Sequence, residues 1–203
     1  MKPQTDNQQD RISQRKLIRH ARRQICRQQQ RLHQLSVLNH LKRSSLLKRH
    51  QRFAIYLHAD GELNTDLIID YLLALNKQVF LPVLHPLKPN RLWFVPFNHQ
   101  TRLKKNRFNI LEPANIQQRV NIISLQVVLM PLVAFDLHGN RLGMGGGFYD
   151  RTFSALKNKA HIRLPKLIGL AHELQKLPVI SAQTWDISLH AVISNKMFYR
   201  IEP

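Results

Sequence analysis

Five of the chain's seven glycines fall between residues 139 and 147, close behind its most apolar stretch, residues 122–132. Glycine reaches positive φ without strain and lets backbone N–H groups approach a neighbour with no Cβ in the way. A run apolar throughout reads as a central strand buried on both faces. From Phe148 onward the pattern returns to helix. Strand, glycine loop, helix is the order in which open α/β sheets hold ligands, at the carboxyl ends of their strands. Amides leading into a helix form a nest for phosphate, and Arg141 adds a bidentate fork within the same loop. The spacing matches neither G-x-G-x-x-G nor G-x-x-x-x-G-K-[ST], which argues against a standard dinucleotide or P-loop site. A plain flexible turn is the alternative reading.

Around this loop, short apolar runs alternate with helical ones. Residues 53–57 read as a strand, 65–75 as a helix capped by Asn64 or Thr65, and 79–81 as the next strand, a β–α–β unit with right-handed crossover and parallel pairing. Residues 92–95 form a strand that Pro96 places on an edge. Residues 98–118 are polar and read as surface loops. A helix is predicted over 148–157, strands over 166–170 and 191–194, and a weak last strand over 198–201. The expected fold is an α/β three-layer sandwich with a mostly parallel central sheet.

Ahead of the sheet, residues 10–50 contain neither Gly nor Pro and are rich in Leu, Arg, Lys and Gln. They predict two helices, with a break between 29 and 36, packed on a single domain that spans 1–203. This region also concentrates the charge. The chain carries 31 Lys and Arg against 12 Asp and Glu, a formal +19, and residues 1–52 hold 14 of the bases but only 2 of the acids. Such a segment attracts phosphates, and a nucleic-acid-binding arm is therefore the alternative function. No aromatic interleaving accompanies the charges. With 43% apolar residues the chain can bury a core, which excludes wholesale disorder.

The single cysteine, Cys26, excludes an intrachain disulfide and reads as a half-buried helix residue; no Cys/His spacing suits structural zinc. The longest apolar run falls well short of the ~20 residues that span a bilayer. A cytoplasmic protein is expected. His172 and Glu173 read as a surface turn, and Trp93 and Trp185 as core or rim.

Asp150 stands one turn into the helix after the glycines. A carboxylate beside a phosphate nest repels the phosphate unless a cation lies between, which points to Mg²⁺. Residues 130–136, Gly139 and residues 141–151 (RLGMGGGFYDR) closely resemble the motif of the 5-formyltetrahydrofolate cyclo-ligase family. The likeness extends to residues 60–65, 81–86, 177–178 and 185–187, and covers about 15–196. The resemblance implies a fold of the NagB/RpiA/CoA-transferase kind. It implies an ATP- and Mg²⁺-dependent ligase that converts 5-formyltetrahydrofolate, with or without a polyglutamate tail, to 5,10-methenyltetrahydrofolate, releasing ADP and phosphate. It also implies a monomer, with no nucleic-acid or membrane partner.

By the same resemblance, Arg15, Arg19, Arg141, Leu142, Gly143, Met144, Gly145, Gly146, Gly147, Phe148 and Tyr149 hold ATP. Leu57, Glu62, Met144, Gly145, Gly146, Gly147 and Phe148 border the folate. Asp150 and Asp186 hold the metal, and Arg141 and Asp150 are the catalytic pair. Lys16 is the alternative to Arg15. Gly146 and His190 stand where some members carry a basic and an acidic residue.

Overall fold

The computed structural model describes residues 4–154 and 164–201. Three helices, α1 (Gln4–Arg23), α2 (Arg27–Arg43) and α3 (Leu46–Arg49), lead into β1 (Arg52–Ala54). Helix α4 (Asp66–Ala74) connects it to β2 (Gln78–Leu84), and β3 (Leu92–Phe97) folds back beside β2. A small hairpin, β4 (Leu103–Lys105) and β5 (Leu111–Pro113), precedes β6 (Val127–Pro131). The two-residue strands β7 (Ala134–Phe135) and β8 (Arg141–Leu142) come next, followed by α5 (Phe148–Phe153), β9 (Lys166–Ala171), β10 (Ala191–Ser194) and β11 (Phe198–Arg200).

The main sheet has seven strands in the order β11-β10-β9-β6-β1-β2-β3. From β10 to β2 all neighbours are parallel, and the two edge strands run antiparallel. Strand β6 is the middle strand, and Val127 to Met130 are at most 1% exposed. Alternation divides its side chains between two cores. Val127 and Leu129 join Phe53, Ile55, Leu41 and Ile68 on the face covered by α2, α3 and α4. Val128 and Met130 join Ala54, Phe94 and Phe153 on the face covered by α5. Each fully buried Phe, Leu or Val contributes about 1.5–3 kcal/mol relative to exposure, so this central register is strongly fixed.

The β–α–β unit and the parallel pairing of β1 with β2 agree with the sequence reading. Thr65 occupies the cap position of α4, but its hydroxyl donates to the Tyr56 carbonyl, and Asn64 Oδ1 accepts the Asp66 N–H instead. Three expectations differ. The predicted strand over 122–132 begins only at Val127, because Asn121 Oδ1 accepts the Ile123 N–H and turns 122–124 into a 3-10 helix. Residues 98–118 contain the β4–β5 hairpin. The first helical break comes at residues 24–26, where the N–H groups of Gln24 and Ile25 tighten onto the carbonyls three residues back. Helix α5 is assigned as far as Phe153, and residues 155–157 of its predicted span lie outside the described residues. Cys26 is exposed, as the residue preceding α2. Among the described residues, no helix is long and apolar enough to cross a membrane.

Candidate active site

The carboxyl ends of β1 and β6 emerge on the same edge of the sheet, because the two strands are parallel neighbours. Beyond β6 the chain does not enter the glycine loop at once. It first makes the β7–β8 hairpin, whose tip is fixed by the fully buried Asp136. That carboxylate accepts from the N–H groups of His138, Asn140 and Ile180 and from the Asn140 side chain. Gly139 belongs to this turn: at φ +85 a Cβ would lie 3.0 Å from the Leu189 carbonyl and from Ile201. Its role is structural.

The loop proper is Gly143 to Gly147. Gly147, at φ +62, caps α5. A Cβ on Gly146 would strike the Phe148 ring at 2.6 Å, whereas Cβ atoms on Gly143 and Gly145 would meet nothing within 4 Å. Gly145 needs its positive φ of +100, but neither crowding nor a positive φ accounts for Gly143. Its openness is what close approach of a ligand requires. The first amides of α5 have no intrahelical acceptor and are available beside it.

Helix α1 forms one wall with a row of arginines. Arg11 donates two 3.0 Å bonds to Asp186 Oδ2. Arg15 Nε donates to the Gly143 carbonyl at 2.9 Å, whereas Lys16 is exposed. Arg19, Arg22 and Arg23 all converge on Asp60. Residues four apart share a helix face: along it Arg11 reaches Asp186, Arg15 reaches Gly143, and Arg19, expected at ATP, bonds Asp60. Among the many bases of this segment, only the spacing of four before Arg15 marks Arg11 in the sequence. These arginines are engaged by carboxylates and carbonyls of distant segments of the chain.

Arg22 joins three segments. Its side chain is wholly buried; it donates to the Asp60 carbonyl and carboxylate at 2.8 Å and to the Leu132 carbonyl at 3.3 Å, and touches Met144 Sδ at 3.7 Å. Asp60, at φ +51, thereby holds the turn that presents Glu62. Burial alone would raise the Asp60 pKa, but the bonds from Arg19, Arg23 and Arg22 prevail and hold it below the usual carboxylate value. Glu62 is in the opposite state. Burial pushes its pKa up to about 7, against the pull of Arg22 and of the Ala59 N–H that its Oε2 accepts at 3.1 Å. Tyr149 sits close enough that the Glu62 charge, after burial, raises its pKa too. The structure thus brings Glu62 and the start of α5 together, with Leu57 half-buried at the rim of the core beneath.

Arg141 and Leu142 point inward. Leu142 is fully buried with Ile18, Val133 and Ile180, so its side chain supports the loop and does not line it. Arg141, 5% exposed, donates to the Ile187 carbonyl and, at 2.5 Å, to Asp150 Oδ1, which also accepts the Ile187 N–H. Asp150 and Asp186 are therefore brought to one place, each with an arginine. Among the described residues no group of three or more His, Cys, Asp or Glu could cage a metal. Two hard carboxylates fit Mg²⁺ that keeps most of its ligands from phosphate and water.

His190 is no ligand of this site: its Nδ1 accepts the Leu167 N–H at 3.1 Å, and burial lowers its pKa. His172, expected on the surface, is fully buried. Its Nδ1 lies 2.9 Å from His33 Nδ1, and burial lowers its pKa to about 4. Trp185 is exposed beside Asp186, a rim position.

The family model for the 5-formyltetrahydrofolate cyclo-ligase family matches residues 7–195. The chain is 38% identical over 188 residues to the 5-formyltetrahydrofolate cyclo-ligase of Haemophilus influenzae, covering 92% of this chain and 98% of that protein. It is 38% identical over 180 residues to the one of Escherichia coli, covering 88% and 96%. Its fold is similar to the solved structure of 5,10-methenyltetrahydrofolate synthetase from Aquifex aeolicus, with TM-score 0.79 and 26% identity over 95% of this chain and 93% of that one. A match over nearly the whole chain, together with the glycine loop, the arginine row and the buried Glu62, means that this protein belongs to the 5-formyltetrahydrofolate cyclo-ligase family.

Proposed function

We propose that the cleft between α1, the Gly143–Gly147 loop and the Asp60–Glu62 turn carries out the family's reaction, ATP-dependent conversion of 5-formyltetrahydrofolate to 5,10-methenyltetrahydrofolate. The observation that carries the assignment is the pairing of an open glycine loop, gripped by Arg15 at Gly143, with a buried carboxylate at Glu62 a short distance away across Arg22 and Tyr149. The loop amides, Arg15 and Arg11 receive the triphosphate. Glu62 accepts from the pterin N–H groups and fixes the ring, with Leu57, Met144 and Phe148 beside it.

The N5-formyl oxygen attacks the γ-phosphorus, forming an O–P bond as the bond to the β-phosphate oxygen breaks and ADP leaves. The N10 lone pair then attacks the activated formyl carbon, N10 loses its proton, and the C–O bond breaks to release phosphate. Such a transfer depends on positioning and charge neutralisation more than on covalent help from the protein. Arg141 holds Asp150 in place for this, and both are positioned by the Ile187 backbone. Mg²⁺ entering with ATP would be held by Asp150 and Asp186 and would offset the phosphate charge.

The test is direct. Mixed with 5-formyltetrahydrofolate, ATP and Mg²⁺, the protein is expected to generate the absorbance of the methenyl product, with one ADP formed per product. A flat trace with folded protein across pH rejects the assignment.

A further inference from the structure

A second cavity, of about 340 Å³, opens at the end of the β2–β3 hairpin. Lys88, Arg91, Arg119, His85 and Trp93 line it, and among the described residues no carboxylate does. The Arg119 guanidinium lies 4.3 Å from the Trp93 ring centroid, and the His85 ring 4.5 Å from it. His85 Nδ1 accepts the N–H groups of Leu87 and Lys88, so the neutral imidazole carries its proton on Nε2 and is a donor. Three permanent cations gathered with no counter-charge among the described lining residues repel one another, and an anion relieves that repulsion.

The cavity adjoins the cleft. Thr152 lines it, accepts the Leu92 N–H through Oγ1 at 2.9 Å and donates to the Phe148 carbonyl at 2.6 Å. One helical turn, ~5.4 Å, thus separates its wall from the aromatic residue at the start of α5. Neighbours run from Glu62 through Tyr149 and Phe148 to Thr152 and the cavity.

The geometry points to this cavity as the subsite for the glutamyl carboxylates of the folate substrate, an inference that rests on the function proposed above. 5-Formyltetrahydrofolate carries its glutamate at the end remote from the pterin, beyond a flat benzoyl ring, and each further γ-linked glutamate adds a carboxylate. With the pterin at Glu62 and the ring beside Phe148, the tail reaches Arg91, Arg119 and Lys88. A nucleotide base is the poorer fit, because the ring of Trp93 is already packed by Arg119 and His85.

Steady-state kinetics with mono- and triglutamylated 5-formyltetrahydrofolate test this on wild type, R91E/R119E and R91K/R119K. In R91E/R119E the triglutamate KM is expected to rise roughly tenfold, what the loss of a charge-assisted hydrogen bond commonly costs. Its kcat and its KM for ATP stay at wild-type values, and R91K/R119K recovers to within about twofold because charge is retained. K88E, at an exposed position, repeats the test where folding is not at risk. Unchanged folate KM values in the charge-reversed proteins, or a rise confined to ATP, overturn the subsite. A wild type inert with both folates defeats the proposed function, and the subsite with it; an active wild type beside unaffected variants defeats the subsite alone.

Discussion

The guanidinium of Arg22 lies 4.0 Å from the Glu62 carboxylate yet gives its short bonds to Asp60. Glu62 therefore feels a positive charge without the direct bond that would hold it ionised. Burial dominates and raises the pKa to about 7, so the charge of Glu62 changes near neutral pH.

In the proposed function, the charged form of Glu62 is the pterin acceptor. The folate kcat/KM is expected to fall as pH drops through 7 on a single-proton limb. Glu62→Gln removes that limb and lowers kcat/KM by about 100-fold, the scale of losing a buried charge-assisted bond. A retained limb in this variant assigns the titration to another group.

For stability, the sign is reversed. The folded pKa of Glu62 lies above the ordinary 4.5, so the folded state keeps a proton that the unfolded chain releases between pH 4.5 and 7. This contribution is fully present below 4.5 and is lost as pH rises through about 7. Glu62→Gln is expected to be more stable than wild type at pH 8 by about 1–3 kcal/mol, while binding folate worse; denaturant midpoints at pH 5 and pH 8 check it.

The two glycine environments separate cleanly. Gly139→Ala forces a side chain into φ +85 against Leu189 and Ile201 and is expected to cost about 1–3 kcal/mol, with kcat unaltered in the folded fraction. Gly143→Ala meets open space, so stability changes by less than about 0.5 kcal/mol, but its methyl occupies the ligand's side and the KM for ATP rises. Thermal melts and ATP titrations on the pair distinguish a turn residue from a binding residue.

On α1, Arg15→Ala is expected to raise the KM for ATP about tenfold, and Lys16→Ala to leave it unchanged, since only Arg15 reaches Gly143. Arg11→Ala weakens ATP similarly and also releases Asp186. Arg19→Ala leaves the ATP KM near wild type, because its partner is Asp60.

Asp150→Asn keeps the shape of the acceptor for Arg141 and Ile187 but loses the charge. Turnover at saturating ATP is expected to fall by at least about 100-fold in protein that still folds, with a lowered melting temperature because buried Arg141 loses its counter-charge. Near-normal kcat would move the metal and positioning role away from Asp150.

How much of this could be read from the sequence follows from what each signal rests on. Continuous apolar runs located β6 and its parallel neighbours, since burial on both faces leaves no polar alternation to misread. The same continuity hid β7: residues 132–135 extend the apolar run with no turn signal before Asp136. The β4–β5 hairpin is three residues per strand and mostly polar, so neither period reveals it. The break near residue 25 contains no Gly or Pro and has no compositional mark. Side-chain partners were least legible. Arg11, Arg15, Arg19 and Arg22 look alike in a basic amphipathic helix, and only the distant positions of Asp186, Gly143 and Asp60 distinguish them. His172 is buried because α2 brings His33 to it, a contact across 139 residues that no local pattern records.

The contact between Arg11 and Asp186 joins residues 175 positions apart. During translation, the α1 wall is made long before the acid that Arg11 binds. A growing polypeptide therefore holds Arg11 without this carboxylate partner until residue 186 has left the ribosome and docked.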